Sequence, residues 1–239
     1  MYGSRARIGY TSPPMLTEVF PRDFYRVVPP GVSLVITTLA VHEFTSDEVS
    51  RSLEIARRVA TEMGRAGVDL VVLGGVPINL SAAGPAGVST LIEETRQACG
   101  VPVTTSLTAQ MTALETVGAH RLAVVHPFAE SHSASYAYLR DFGFEPVVVK
   151  AGGYPAIDLG KIPSDVPVRL AREAIQAHPD ADTLYFPCPH WAVVDRIDEL
   201  EAELGLNVVT SGQAIFWEAL RRCGIDEPVH GYGRLFREH

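Results

Sequence analysis

The chain has 239 residues, of which 46% are hydrophobic and 20% are charged, and its net charge is −8 at pH 7. That length and composition are typical of a globular protein with a substantial core, built as one large domain or as two small lobes. The acidic balance, with 20 Lys and Arg residues spread along the chain, excludes a nucleic-acid-binding surface and favours a small molecule as the partner.

No part of the sequence has the pattern of a membrane or export segment. No apolar run reaches the roughly 18 to 20 residues that a transmembrane helix needs, and the first nine residues lack the apolar core of a signal peptide. We therefore predict a cytoplasmic protein with no membrane partner, and the sequence leaves its oligomeric state open.

Short runs rich in Val, Ile and Leu alternate with longer amphipathic stretches, which is the pattern of parallel strands joined by crossover helices. The sequence therefore predicts the α/β class. The predicted strands are Ala6 to Tyr10, Ser33 to Thr38, Leu70 to Leu73, Val101 to Thr104, Arg121 to Val125, Glu145 to Val149, Thr183 to Phe186 and Asn207 to Thr210. The predicted helices are Ser46 to Ala66, Gly87 to Cys99, Ser106 to Val117, Ser131 to Phe142, Asp165 to Ala177, Val193 to Leu204 and Gly212 to Cys223.

Two pairs of segments repeat in the same order along the chain. Segments 69–77 and 182–190 each begin with Asp and continue as a buried strand and a Gly- or Pro-rich turn, and their alignment places Gly75 opposite Cys188. Segments 100–106 and 205–211 form the second pair. A strand, turn and helix recur in any α/β protein, which is the alternative explanation of these echoes.

The repeats favour two related lobes, each a small parallel sheet with helices on both faces. We assign residues 1–117 and 211–239 to the first lobe and residues 118–210 to the second. Because α/β folds bind ligands at the carboxyl ends of their strands, the cleft between the lobes is the predicted site.

Neither the cysteines nor the histidines form a metal-binding pattern. The three cysteines contain no CxxC pair and are odd in number, so we predict free thiols. The histidines between positions 120 and 132 fall across a strand, a loop and a helix, with no HxH or HExxH spacing. The phosphate-binding motifs GxGxxG and GxxxxGK[ST] are also absent from the sequence. We predict no metal and no other cofactor.

Several motifs together resemble a known family over nearly the whole chain. They are Ile8-Gly9 with Ser12-Pro13-Pro14, Arg58 with the strand from Gly67 to Leu73, Cys188 after its strand, Phe216-Trp217-Glu218-Ala219, and Gly231-Tyr232-Gly233-Arg234-Leu235-Phe236. The last is the most specific. The sequence is similar to the aspartate/glutamate racemase superfamily and, within it, to the branch of arylmalonate decarboxylases and maleate isomerases.

The resemblance implies a cofactor-independent enzyme of two flavodoxin-like lobes that acts on a carboxylate through an enolate. Racemases of the superfamily carry two facing cysteines, maleate isomerases attack the double bond with the first, and arylmalonate decarboxylases keep only the second. With Gly75 and Cys188, this chain resembles the decarboxylases. We expect Cys188 to protonate the enediolate left when a malonate-type dicarboxylate, with or without an aryl group, loses carbon dioxide.

Cys188 lies between two prolines at the end of a predicted strand. A predicted helix start close behind it and the neighbouring His190 favour the thiolate, so we predict a pKa near the working pH. This would allow the thiol to deliver a proton and then recover it.

The anion-binding residues of the family are depleted in this chain. Val76 and Pro77 stand where the family uses Thr and Ser hydroxyls, Pro189 removes a backbone donor, and Phe128 stands near the position of a family tyrosine. The replacement donors that we favour are His190 and Asn79, ahead of Thr11, Ser12, Thr38, Ser81 and His126. The predicted substrate-binding residues are Pro13, Gly75, Val76, Asn79, Phe128, Pro189 and His190.

Two other functions stay open on the sequence. One is an isomerase or racemase resembling maleate isomerases or amino-acid and hydantoin racemases, which Gly75 disfavours because it offers neither a nucleophile nor a second base. The other is a carboxylate-binding protein without catalysis, which the depleted anion site favours.

Overall fold

The computed structural model describes residues 3–42, 45–81 and 84–239, without the side chain of Pro85. The strands are β1 Ala6–Pro14, β2 Val32–Val41, β3 Leu70–Leu73, β4 Val103–Thr105, β5 Arg121–His126, β6 Glu145–Ala151, β7 Thr183–Phe186 and β8 Asn207–Thr210. The α-helices are α1 Val19–Val27, α2 Ser46–Arg65, α3 Val76–Leu80, α4 Gly84–Cys99, α5 Ser106–Thr116, α6 Asp165–Ala177, α7 Ile197–Leu204, α8 Ser211–Arg222 and α9 Arg234–Glu238. Three 3-10 segments cover Glu130–Phe142, Ala156–Lys161 and Val194–Arg196.

The strands form two parallel sheets with the same topology. The first has the order β2-β1-β3-β4 and the second the order β6-β5-β7-β8. Each sheet thus places its first strand between its second and third, as in doubly wound α/β folds. The predicted architecture of two related parallel sheets with flanking helices is confirmed.

The same hydrogen-bond arrangement fixes the inner strands of both sheets at their amino ends. The Asp69 carboxylate accepts the Arg7 backbone N–H at 2.7 Å, and the Asp69 N–H donates to the Arg7 carbonyl at 2.8 Å. In the second sheet, the Asp182 carboxylate accepts the Arg121 N–H at 2.9 Å, and the Asp182 N–H donates to the Arg121 carbonyl at 2.9 Å. The alignment that placed Gly75 opposite Cys188 therefore has a structural basis.

Helices α5 and α8 connect the two halves of the molecule. They pack against each other, α8 also contacts β3, and α5 also contacts β8. Both begin directly after a strand, and the N-cap hydroxyls of Thr105 and Thr210 accept the backbone N–H groups of Thr108 and Gln213. One apolar core runs through both sheets. The lobe boundaries at residues 117 and 211 stay a prediction.

Prolines account for two helices that the sequence analysis did not predict. Pro21 and Pro77 lie in the first turns of α1 and α3, where a helix tolerates a missing N–H. The predicted helix from Val193 to Leu204 is a 3-10 turn followed by α7. Among the described residues, no helix has the length and apolar character needed to cross a bilayer.

Candidate active site

A cavity of about 310 Å³ lies between the two sheets, at the carboxyl ends of their strands. β1 and the turn after β3 form one wall, the loop after β7 forms another, and α5 and α8 begin at its floor. This is the cleft in which the repeats predicted a ligand. The predicted site residues that line it are Pro13, Gly75, Val76, Phe128, Cys188, Pro189 and His190.

Cys188 follows β7 and Pro187, and only 6% of its surface is exposed. The backbone N–H groups of His190 and Trp191 donate hydrogen bonds to its sulfur, but burial dominates and raises the pKa of the thiol to about 12. The expectation of a pKa near the working pH is therefore wrong. At neutral pH the cavity holds a protonated thiol, which is a potential acid.

Neither of the two influences expected to favour the thiolate is present. The first helical turn after Cys188 begins only at Val194, so no helix N-terminus adjoins the sulfur. Burial lowers the pKa of His190 to about 3, so its imidazole is neutral at physiological pH. A neutral ring cannot stabilise the thiolate as a positive charge would.

His190 belongs to a short chain of hydrogen bonds. Ser12 Oγ donates to Thr17 Oγ1 at 2.9 Å, and Thr17 Oγ1 lies 3.3 Å from His190 Nδ1. The Thr17 hydroxyl can donate to Nδ1 or accept from it, and in the tautomer in which it donates, the ring proton is on Nε2. His190 Nε2 is buried without a hydrogen-bond partner among the described atoms. In that tautomer Nε2 is a neutral donor for a ligand.

Gly75 is the N-cap of α3 and has a φ of +88°. A Cβ atom built on it would lie 2.6 Å from Pro13 Cγ and 3.2 Å from Ile78 Cδ1. The backbone conformation and the neighbouring proline ring thus both require glycine. The position that corresponds to Cys188 in the other half therefore carries no side chain that could transfer a proton.

Asn79 lies outside the cavity lining, which differs from our expectation. Its Nδ2 donates to the Leu73 carbonyl at 3.3 Å, and its Oδ1 accepts from Ser106 Oγ at 3.0 Å and from the Leu107 N–H at 3.4 Å. The α3 turn directs this amide towards β3 and α5, where its donor and acceptor are used. Asn79 positions the turn and the start of α5.

Of the other replacement donors considered, Thr11 accepts the Gly74 N–H at 3.0 Å, and Ser81 donates to the Ile78 carbonyl at 2.7 Å. His126 Nε2 lies 3.0 Å from Ser133 Oγ, and burial lowers the pKa of His126 to about 4. None of these side chains, nor Thr38, is part of the described cavity wall.

Three tyrosines that the sequence analysis did not consider as site residues line the cavity. Tyr10 comes from β1, while Tyr136 and Tyr138 come from the 3-10 segment that follows β5. The pKa values of Tyr10 and Tyr136 are raised, mainly by burial and further by the nearby Cys188 sulfur. The sequence signal for Tyr10 is its place in the carboxyl half of a buried strand.

Two serines occupy equivalent places in the halves of the site. Ser106 opens α5 and Ser211 opens α8, and both line the cavity. They are the last residues of the repeated segments 100–106 and 205–211. Ser106 donates to Asn79, whereas Ser211 Oγ is buried without a partner among the described atoms. The repeat therefore marks a pair of cavity residues with different surroundings.

The described residues of the cavity wall include no Lys, Arg, Asp or Glu. No group of three or more metal-ligating side chains occurs among the residues that the structure describes. Apart from His132, the described wall therefore offers an anionic ligand neutral hydrogen-bond donors, which act more strongly when water is excluded.

The profile of the family described as arylmalonate decarboxylase matches residues 8–236. The chain belongs to the arylmalonate decarboxylase family. The match includes both sheets and the whole cavity wall. It confirms the branch of the superfamily that the sequence motifs predicted.

Individual relatives of this family cover the full chain. The arylmalonate decarboxylase of Bordetella bronchiseptica is 28% identical over 238 residues, which is 98% of each chain. A solved double mutant of arylmalonate decarboxylase in a liganded form has a TM-score of 0.88 and 26% identity, and covers 98% of this chain and 100% of that one. The predicted enzyme class, a decarboxylase or isomerase, is confirmed at that level.

The fold extends to a second group of enzymes. The maleate isomerase Iso from Pseudomonas putida S16 has a TM-score of 0.84 with 20% identity, and covers 98% of both chains. At that identity the likeness shows the shared fold alone.

Proposed function

We propose that the protein is a cofactor-independent decarboxylase of malonate-type dicarboxylates, in which Cys188 is the proton donor. The observation that carries the proposal is the asymmetry of the cavity. One wall holds a buried, protonated thiol, and the equivalent position on the other is Gly75, where no side chain fits. The family assignment supports a decarboxylase, and the substrate class comes from the sequence resemblance.

The reaction needs no electron acceptor. The bond between the α-carbon and one carboxylate breaks, carbon dioxide leaves, and the electron pair stays on the substrate as an enediolate. The Cys188 S–H then transfers its proton to the α-carbon, which completes a monocarboxylate product. The thiolate that remains is stabilised by the His190 and Trp191 N–H groups until a proton from solvent restores the thiol.

The same asymmetry separates this function from isomerisation and racemisation. A racemase needs a proton-transfer group on each face of the planar intermediate, and a covalent isomerase needs a nucleophile on its first wall. Gly75 supplies neither of these groups. A decarboxylase needs one acid only, because loss of carbon dioxide generates the carbanion. Protonation from one side predicts a single product enantiomer.

The test is turnover of aryl- and alkylmalonates by Cys188→Ala, measured as carbon dioxide release and as deuterium at the product α-carbon in heavy water. We expect the rate to fall by about 10² to 10⁴, the usual contribution of a positioned general acid. Cys99→Ala is the matched control, since Cys99 is a buried thiol outside the cavity wall. Full activity of Cys188→Ala, or α-proton exchange without carbon dioxide release, would contradict the proposal.

A further inference from the structure

The turn after β3 offers little to an anion. Val76 has no polar side-chain atom and Pro77 has neither a polar side-chain atom nor an N–H group, so this part of the wall offers few donors beyond the Val76 backbone N–H. A ligand that carries negative charge needs further hydrogen-bond donors from elsewhere in the cavity.

Four buried polar atoms in the cavity wall have no hydrogen-bond partner at full geometry among the described atoms: Tyr10 Oη, Tyr138 Oη, His190 Nε2 and Ser211 Oγ. The Tyr138 hydroxyl interacts with the hydroxyl of Tyr185, which leaves Tyr10 Oη, His190 Nε2 and Ser211 Oγ. The exposed fractions of the three side chains are 0%, 5% and 0%. Buried polar groups are hydrogen-bonded in the great majority of cases, so three orphaned donors around one cavity indicate a ligand.

The three residues come from different elements that meet at the cavity. Tyr10 lies in β1, and its ring stacks on Phe20 with a centroid distance of 3.9 Å and an interplanar angle of 9°. Ser211 opens α8 directly after β8. His190 Nδ1 lies 3.3 Å from Thr17 Oγ1, and when the Thr17 hydroxyl donates to Nδ1 the ring proton is on Nε2. Each donor is thus fixed by its own surroundings.

We propose that Tyr10, His190 and Ser211 form a neutral donor set that binds one carboxylate of the ligand in place of the depleted turn at Val76 and Pro77. The preferred ligand is a carboxylate with an apolar substituent, because the rest of the wall contains Pro13, Phe128 and Leu159. Binding of a carboxylate by these donors does not depend on the proposed function. Stabilisation of the enediolate by the same donors does rest on the proposed function.

The protonation states of the set suit this role. Burial raises the pKa of Tyr10 and lowers that of His190 to about 3, so both stay neutral between pH 5 and pH 9. The phenol, the imidazole and the serine hydroxyl each keep one proton to donate throughout that range. The contribution of these three donors to carboxylate binding is therefore expected to change little with pH there.

The test is titration calorimetry of phenylacetate against the full chain and its Tyr10→Phe and Ser211→Ala variants. Each substitution removes one oxygen, and we expect each to weaken binding about tenfold or more, the usual cost of losing a hydrogen bond to a charged group. His190→Phe removes the third donor and should act likewise, whereas His190→Gln keeps an N–H donor and should restore part of the affinity.

Thr183→Val is the matched control. Its hydroxyl is also buried without a partner among the described atoms, but it lies at the amino end of β7, outside the cavity wall. Thermal unfolding of every variant shows whether a loss of binding comes with a loss of folding. The donor set is overturned if folded Tyr10→Phe and Ser211→Ala bind phenylacetate as the wild type does, or if Thr183→Val weakens binding equally.

These outcomes are separate from the test of the proposed function, which is turnover by Cys188→Ala. Loss of turnover in Cys188→Ala with unchanged binding in Tyr10→Phe and Ser211→Ala would overturn the donor set alone. Weakened binding in those two variants with full turnover in Cys188→Ala would overturn the proton donor and support the donor set.

Discussion

Gly75→Ala is expected to destabilise the protein strongly, for two separate reasons. The φ of +88° is unfavourable for any residue with a Cβ, at about 1 to 3 kcal/mol. The new Cβ would also lie 2.6 Å from Pro13 Cγ, the edge of a stiff ring that cannot rotate away. Overpacking of this kind costs about 1 to 3 kcal/mol.

The two contributions together lower the free energy of unfolding by about 2 to 6 kcal/mol. For a chain of this length, each kcal/mol shifts Tm by about 2 to 4 °C, so thermal unfolding should show a fall of about 4 to 24 °C. Calorimetry or circular dichroism measures that shift directly.

Gly143→Ala measures the cost of a positive φ without a clash. Gly143 has a φ of +85° and a ψ of 9°, in the left-handed region, whereas Gly75 combines a φ of +88° with a ψ of 102°, and a Cβ on Gly143 would meet no atom within 4 Å. Gly143→Ala should therefore lower the free energy of unfolding only by the cost of backbone strain, about 1 to 2 kcal/mol. In Gly75→Ala, the additional change Pro13→Ala should restore part of the stability. Equal Tm values for Gly75→Ala and Gly143→Ala would refute the reasoning from the Pro13 contact.

Three further predictions concern pH dependence and positioning. Because the pKa of Cys188 is about 12, kcat should stay flat from pH 7 to pH 9, and a tenfold fall over that range would contradict the buried acid. Burial raises the pKa of Asp23 from 3.8 to about 6, so the folded state binds the additional proton and wild-type stability falls as pH rises through that window. In urea unfolding, the free energy of unfolding of Asp23→Asn relative to wild type should therefore rise between pH 4 and pH 6. Above pH 6 this difference should stay constant. Asn79→Ala leaves the Leu73 carbonyl without its side-chain donor and Ser106 Oγ without an acceptor, and should lower the free energy of unfolding by about 1 to 3 kcal/mol with little direct effect on phenylacetate affinity.

The strands were the part of the fold most accurately predicted from sequence. β3, β7 and β8 have the predicted bounds, because a strand buried on both faces is a short, continuous apolar run between turn residues. The boundaries of α2 and α6 agree within one residue, since both helices have a clear amphipathic period. Helices α1, α3 and α9 were missed. In α1 and α3 a proline lies in the first turn, where it cannot be distinguished by pattern from a helix breaker.

Within the site, sequence identified the position of the thiol but not its chemistry. The raised pKa of Cys188 comes from burial of the thiol, which the residues beside it in sequence do not show. Asn79 was expected in the cavity because it is close to Gly75 in sequence, but the α3 turn directs it the other way. Tyr10 and Ser211 were overlooked because only the structure shows that their hydroxyls are buried without a hydrogen-bond partner among the described atoms.

The paired aspartates at Asp69 and Asp182 have a consequence for how this enzyme could change. Their carboxylates hydrogen-bond to backbone N–H groups of the neighbouring inner strand at the amino edge of each sheet. The cavity lies at the opposite, carboxyl edge. Architecture and chemistry thus occupy opposite ends of the same strands. Substitutions around the cavity can alter ligand specificity without removing the hydrogen bonds of Asp69 and Asp182. The carboxyl edge is therefore the place to redesign specificity.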